Sequence, residues 1–498
     1  MSEREKNIVM FPFMAQGHII PFLALARHIL HTCNSTTTST TYTITFVTTP
    51  LNAHIITSSL PPNSNIRLLQ IPFSGSDHGL PPHVENTDSL PYHLLHKFLR
   101  ASLCLKPSFS KLLSDLISQQ HGRPPLCIIA DVFFGWCADI ARHYGVFNAI
   151  FCGGGGFGFA CYHSLWLNLP HRNTDSHHIM IPDFPEASTI HVTQMSDLLR
   201  AADGHDTFSM FNREVLSAWS KADAILFNTL EVLDRTGLKY FRRKLGRPVW
   251  AVGPVNLSID NQAHAEKEGG NVSDMCTQWL DRKPAKSVVY VSFGSQNTIS
   301  TSQMIELAIA LEASCKNFVW VVNPPAEFDT NSEFRAKEWL PHGFEERIKE
   351  SNRGLLAHKW APQLDILSHE AVSVFLSHCG WNSVMEALGH GVPILGWPLA
   401  AEQFYNAKLL EEEVGVCVEV ARGKSIVRHE DLAAKIELVM NGTEKGTEMT
   451  RKACEVREMI KNAMKDEDGL KGSSVKAMHE FLSAATLMTA PSRSGPNN

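Results

Sequence analysis

The sequence predicts an α/β protein built as two parallel-sheet domains facing a cleft. Three observations predict it. The chain has 498 residues, more than the roughly 250–300 that one hydrophobic core usually serves, so about two domains are expected. Short apolar runs rich in Val, Ile and Phe alternate with helical patterns along its length. Such continuous runs are how strands covered on both faces read, and strand–helix–strand repetition implies parallel sheets. Midway, "NLSIDNQAHAEKEGGNVSD" (256–274) breaks the pattern; it is polar, lacks apolar periodicity and reads as an interdomain linker.

In the first half the strand runs are "NIVMFPF" (7–13), "YTITFVT" (42–48), "IRLLQI" (66–71), "LCIIAD" (126–131), "NAIFC" (148–152), "AILFNT" (224–229) and "VWAVGP" (249–254). In the second half they are "SVVYVSFG" (287–294), "NFVWVV" (317–322), "GLLAHKW" (354–360), "VSVFLSH" (372–378) and "VPILGW" (392–397). The expected domains are therefore 1–255 and 275–449, followed by a helical segment at 450–486 and a disordered tail at 487–498. Ligands of open parallel sheets bind beyond the carboxyl ends of the strands, so the cleft between the domains is the expected site.

Bulk composition excludes several classes. Apolar residues make up 44% and charged residues 19%, a globular balance. The net charge is -6, from 45 basic and 51 acidic residues with no long basic run, which argues against a nucleic-acid partner. No apolar run approaches the roughly 18 residues of a membrane span. The start, "MSEREKNIVMFPF", enters a strand at once and lacks the apolar stretch of a secretory leader. Eleven cysteines are scattered without CxxC pairs, as expected of reduced thiols in a cytoplasmic protein.

The stretch "LSHCGWNSVMEAL" (376–388) places polar groups, a glycine and a tryptophan between a strand and a helix. Helix N-termini carry unpaired N–H groups and about half a positive charge, and so hold phosphate. Gly380 would let backbone approach a ligand, while His378, Asn382 and Ser383 could donate to a diphosphate. The alternative is a plain helix start, with Ser383 and Glu386 as a Ser-x-x-Glu capping box.

The surroundings of this elbow, Trp360 to Gln403, read "WAPQLDILSHEAVSVFLSHCGWNSVMEALGHGVPILGWPLAAEQ". Along its whole length this stretch resembles the signature box of plant family 1 UDP-glycosyltransferases. The resemblance extends to "VYVSFGS" (289–295), "NFVWVV", "AILFNTLEVLD" (224–234) and "FMAQGHIIPFLALA" (13–26). It implies a GT-B fold of two Rossmann-like domains, the first binding the acceptor and the second a UDP-sugar, with the helical 450–486 segment packing back on the first. It also implies roles. Trp360 would stack on uracil and the Ala361 backbone would meet the base edge. Gln363 and Glu386 would reach the ribose hydroxyls, and His378, Asn382, Ser383 and Ser295 the diphosphate. Trp381, Glu402 and Gln403 would surround the sugar, and Gln403 resembles the glucose-using members.

His18 follows the first strand in "MAQGHIIP", with Pro21 in the first turn of a helix. A histidine suits proton transfer near neutral pH. The resemblance makes it the general base, with Asp131 at the end of "LCIIAD" orienting it; the alternative for Asp131 is to cap the helix that follows. The implied reaction is inverting O-glucosylation with UDP-glucose of a small apolar acceptor, giving a β-glucoside. The acceptor is a phenolic such as a flavonoid, or else a terpenoid alcohol, and no metal ion is needed. Residues 73–93 and 183–212 are the expected acceptor walls, and the protein is expected to be a monomer.

Other readings stay open at this point. "GGGGFG" (153–158) matches the GxGxxG of a dinucleotide site, with Asp175 at the acidic spacing but in a loop-like stretch, so an NAD-dependent oxidoreductase is one alternative. A catalytically silent UDP-sugar-binding protein is another. Members of the family often carry Thr or Ser where Cys152 and Gly153 stand, which leaves one sugar contact open. "DED" (466–468) matches a metal-binding pattern but reads as a solvated helix end, and Cys379 reads as a small buried residue rather than a nucleophile.

Overall fold

The computed structural model describes residues 5–34, 40–60, 64–91, 94–257, 270–329, 331–467 and 470–489. In the first half the strands are β1 (Lys6–Phe11), β2 (Tyr42–Thr48), β3 (Ile66–Gln70), β4 (Cys127–Asp131), β5 (Phe147–Cys152), β6 (His178–Met180), β7 (Thr189–His191), β8 (Ala224–Phe227) and β9 (Val249–Ala251). Seven of them form one sheet in the order β3-β2-β1-β4-β5-β8-β9, and every pairing in it is parallel. The second half contributes β10 (Val288–Ser292), β11 (Asn317–Val322), β12 (Gly354–His358), β13 (Val372–Ser377), β14 (Ile394–Gly396) and β15 (Cys417–Glu419). They form a parallel sheet in the order β12-β11-β10-β13-β14-β15. The central strands β4, β5, β10 and β13 are buried along nearly their whole length, because helices cover both faces.

Three short features escaped the sequence pattern. β15 has three residues, too few for a periodic signal. β6 and β7 form an antiparallel hairpin beside the first sheet. The acidic run at 466 is not a helix end: Asp466–Glu467 is β16 and pairs antiparallel with β17 (Leu470–Lys471).

The expected boundaries also shift. The 256–274 linker is too long at its end, because a helix already runs over Gly270–Leu280; residues 258–269 lie outside the described residues. The 450–486 segment is two helices with different partners. Glu444–Ala463 buries Ala453, Val456 and Ile460 in a cluster with Val384, Ala387 and Leu388 of the second half. Only Ser473–Thr489 returns to the first half, where Met478, Phe481, Leu482 and Ala485 pack with Phe147 and Phe151. Trp250 fixes its register by an edge contact with Phe481 and a 3.0 Å hydrogen bond from its indole to Glu480. That helix reaches into the expected tail; residues 490–498 lie outside the described ones.

Candidate active site

Each sheet reverses its strand order once, and the sequence-predicted residues gather at both reversals. In the first sheet the reversal lies between β1 and β4. His18 sits in the first turn of the helix Gln16–Asn34 that follows β1, and Asp131 ends β4. In the second sheet it lies between β10 and β13. Ser295 stands on the exposed turn after β10, and His378 directly follows β13. Such reversals open a crevice at the carboxyl ends of the strands.

His18 Nδ1 lies 2.8 Å from Asp131 Oδ2. The Asp131 side chain is 1% exposed and that of His18 28%. The other oxygen, Asp131 Oδ1, accepts the Phe133 N–H at 3.1 Å and caps the turn Val132–Phe134. The two alternatives for Asp131 are therefore both realised, one by each oxygen. Burial works against the imidazolium of His18, but the Asp131 carboxylate, its hydrogen bond and the charge of Glu402 together raise the pKa above the usual histidine value. The imidazole packs against two rings, Phe13 and Phe133, each with its centroid 5.5 Å away.

In the second half, the capping-box reading of the elbow is overturned. The helix Trp381–Gly389 has Gly380 at its N-cap and no side chain capping its N–H groups. Ser383 and Glu386 instead share one partner: Gln363 Nε2 donates to Ser383 Oγ at 3.0 Å and to Glu386 Oε2 at 2.6 Å. The first turn of the helix thus keeps donors aimed outward. The glycine is needed for space rather than for backbone freedom: Gly380 has φ -62°, and a Cβ there would lie 2.4 Å from His378 Nε2. The left-handed residue is Cys379, at φ 62° and fully buried, with its carbonyl held by Asn406 Nδ2 at 3.0 Å. Burial lowers the His378 pKa to about 4, opposed by a hydrogen bond with the Ser292 backbone, and its ring lies against Gly380 and Gly294 through Nε2.

Trp360 is 43% exposed, unusually open for a tryptophan, while Ala361 beside it is buried. Gln363 is fixed through its Oε1, which accepts the Tyr290 hydroxyl at 3.2 Å. Burial pushes the Glu386 carboxyl up to about 7, opposed by the Gln363 bond. Gln403 Oε1 accepts the N–H groups of Leu399 and Ala400 at 3.0 and 2.9 Å, which leaves its Nε2 to donate elsewhere. Glu402 precedes it; burial raises the pKa of its carboxyl, and the nearby His18 opposes this.

Two predicted residues also reach the first half. The Trp381 side chain is buried, and its indole N–H donates to the Asn228 carbonyl at 2.9 Å. Asn382 Nδ2 donates to the Gly17 carbonyl at 3.2 Å, and its Oδ1 faces Asn228 and Asn256 at 3.4 and 3.3 Å. Both side chains join the two halves. Asn228, Asn256 and Asn406 were missed at the sequence level. The available signal was a polar residue directly after a buried strand, in "AILFNT".

The glycine run is no dinucleotide site. Its helix, Gly156–Asn168, already has its first N–H groups occupied: Asp234 accepts from Gly156 at 2.5 Å and from Phe157 at 2.7 Å. Its glycines allow close packing. A Cβ on Gly155 would lie 2.9 Å from the Trp381 ring, and one on Gly158 2.1 Å from Asn406 Oδ1. Asp175 is exposed in the loop before β6. Asp466 and Glu467 are exposed, and among the described residues no group of three His, Cys, Asp or Glu is arranged to hold a metal ion. No described helix is long and apolar enough to cross a membrane.

Residues 254–452 match the family model for UDP-glucuronosyl and UDP-glucosyl transferases. The chain is 49% identical to UDP-glycosyltransferase 92A1 of Arabidopsis thaliana, over 97% of this chain and 98% of that one. It is 42% identical to crocetin glucosyltransferase 3 of Crocus sativus, over 89% and 92%. Among solved structures it resembles Glycyrrhiza uralensis UGT73P12 complexed with glycyrrhetinic acid 3-O-monoglucuronide, with a TM-score of 0.81, 30% identity, and 97% and 96% of the two chains covered. Two parallel sheets meeting at their reversals, an uncapped helix terminus facing a histidine–aspartate pair, and likeness across nearly the whole length together establish that the chain belongs to the plant family 1 UDP-glycosyltransferases and has their GT-B fold.

Proposed function

We propose that the protein transfers glucose from UDP-glucose to a hydroxyl of a small apolar acceptor, inverting the anomeric centre to give a β-glucoside. The observation that carries this reading is the approach of the two halves. Asn382 at the elbow reaches Gly17, the residue before His18, at 3.2 Å. A base on one domain therefore faces a leaving-group site on the other. His18, made more basic by Asp131, takes the acceptor proton while that oxygen attacks the anomeric carbon. The N–H groups of the Trp381–Gly389 helix, with His378 and Ser295, receive the charge that develops on UDP, so this step calls on no metal ion. Trp360 stacks on uracil, with the Ala361 backbone at the base edge. Gln363 and Glu386 take the ribose, and Glu402 and Gln403 the sugar.

A phenolic acceptor is the first choice and a terpenoid alcohol the second. An aromatic ring beside the base favours a flat acceptor: the part-exposed Phe133 packs against the His18 imidazole with centroids 5.5 Å apart. The name of the Crocus relative supports glucose as the sugar. Turnover of UDP-glucose with a panel of phenolics and terpenoid alcohols, followed by product mass, tests the reading. A hexose-labelled product supports it; tight UDP binding without any product would leave a silent UDP-sugar-binding protein instead.

The raised Glu386 carboxyl makes a separate expectation. Ribose hydroxyls donate more strongly to a carboxylate than to a carboxylic acid. UDP-glucose has no proton of its own that titrates near neutrality. Its affinity should therefore weaken as pH falls through about 7, by up to about tenfold per pH unit. Calorimetry over about pH 5.5 to 8 checks this. Glu386→Gln should bind more weakly with a flat profile, and a flat profile in the wild type would remove Glu386 from the ribose.

A further inference from the structure

We infer that Asn228, a buried residue of the first half with no expected contact to either substrate, is a positioning residue that sets the alignment of His18 against the donor elbow. The inference rests on the transferase reading.

Asn228 directly follows β8 and is 1% exposed. Its groups join three segments. Its Oδ1 accepts the Val255 N–H, on the chain crossing between the halves, at 2.8 Å. Its Nδ2 lies 3.4 Å from the Gly153 carbonyl and 3.4 Å from Asn382 Oδ1. Its own carbonyl accepts the Trp381 indole at 2.9 Å. Gly253 makes room for it, since a Cβ there would meet Asn228 Oδ1 at 2.4 Å.

Backbone groups at the ends of this network fix the orientation of every amide in it. Val255 N–H can only donate, so Asn228 turns its oxygen there and its NH2 toward Gly153 and Asn382. Asn382 must then present its oxygen, a choice reinforced by the Asn256 Nδ2 at 3.3 Å. Its NH2 is left for the Gly17 carbonyl at 3.2 Å. One chain of hydrogen bonds thus runs from the crossover through Asn228 and Asn382 to the residue before His18. Only a side chain of this length that both donates and accepts completes it. An Asn228→Asp change would set carboxylate oxygen against the Gly153 carbonyl and Asn382 Oδ1.

The residues proposed to hold UDP all lie in the second half, so loss of this chain should leave UDP binding alone and slow transfer. Asn228→Ala is expected to lower kcat about ten- to hundredfold, the scale of a roughly 1 Å misplacement of reacting groups, with the UDP Kd unchanged within about twofold. Asn382→Ala should lower kcat by a similar factor, and the double variant should lose little more kcat than either single one, because both changes cut the same chain. Wild type is assayed in parallel; failure of wild type to transfer any hexose would undo the transferase reading rather than this one. With an active wild type, unchanged kcat in Asn228→Ala, or fully multiplicative losses in the double variant, would overturn the inference. So would equal losses in kcat and UDP affinity, the mark of a merely structural role. If Asn228→Ala does not fold, Asn228→Ser, which keeps a small hydroxyl in the same buried place but is too short to span Val255 and Asn382, decides by the same split between kcat and UDP affinity.

Discussion

Replacing His18 by alanine is expected to lower glucosyl transfer by about 10²–10⁴-fold, the usual contribution of a positioned general base, while UDP binding is kept. The reasoning is geometric. The imidazole is part-exposed at the first reversal, touching Phe13 and Phe133 but filling no core, so its loss should leave the fold intact. The groups proposed to hold UDP stand on the other sheet. Product formation by mass, beside UDP binding by thermal shift, separates the two effects. Transfer within about tenfold of wild type would remove His18 from the chemistry.

Asp131→Asn should be nearly as damaging, for a reason the two carboxylate oxygens supply. Oδ1 holds the Phe133 N–H at 3.1 Å, and that N–H needs an acceptor. An asparagine would keep its oxygen there and turn its NH2 toward His18 Nδ1. The Nδ1 would then be forced to accept, placing the proton on Nε2 and leaving no lone pair for the acceptor hydroxyl. A loss of the order of 10²–10⁴-fold is expected from this tautomer, as for an uncompensated base–orienter pair. The pH profile shifts as well. A base works only when neutral, so kcat/KM rises as His18 loses its proton. In the wild type that rise lies above the ordinary histidine range, because Asp131 and Glu402 outweigh burial. Without the Asp131 charge, burial, the largest single influence, is the main one left, and the rise should move to lower pH. An acid limb at the same pH in both proteins would show that another group sets it.

The same two residues show what can be read from the chain alone. Asp131 closes the apolar run "LCIIAD", and His18 opens the helix that follows "NIVMFPF", so a polar residue just past a buried strand is visible in any reading. Their 2.8 Å contact joins residues 113 positions apart through the β1–β4 pairing, which no local pattern encodes. The elbow shows the reverse failure. Ser383 and Glu386 have the spacing of a capping box, yet Gln363, twenty positions before Ser383, takes both side chains. A local motif lost there to a tertiary partner.

The sequence by itself determined the strands of both sheets longer than three residues and the elbow between β13 and its helix. Continuous apolar runs specify strands buried on both faces, and glycine with polar residues at a strand end specifies a turn. Only the tertiary structure decided how these parts are used. It paired the Trp381 indole with the Asn228 carbonyl, occupied the "GGGGFG" helix terminus with Asp234, and split the carboxyl-terminal helices between the two halves. The physical reason is common to all three. A hydrogen-bond donor or an apolar face is written in the residue type, but which acceptor or surface satisfies it depends on what the packed sheets bring within about 3 Å.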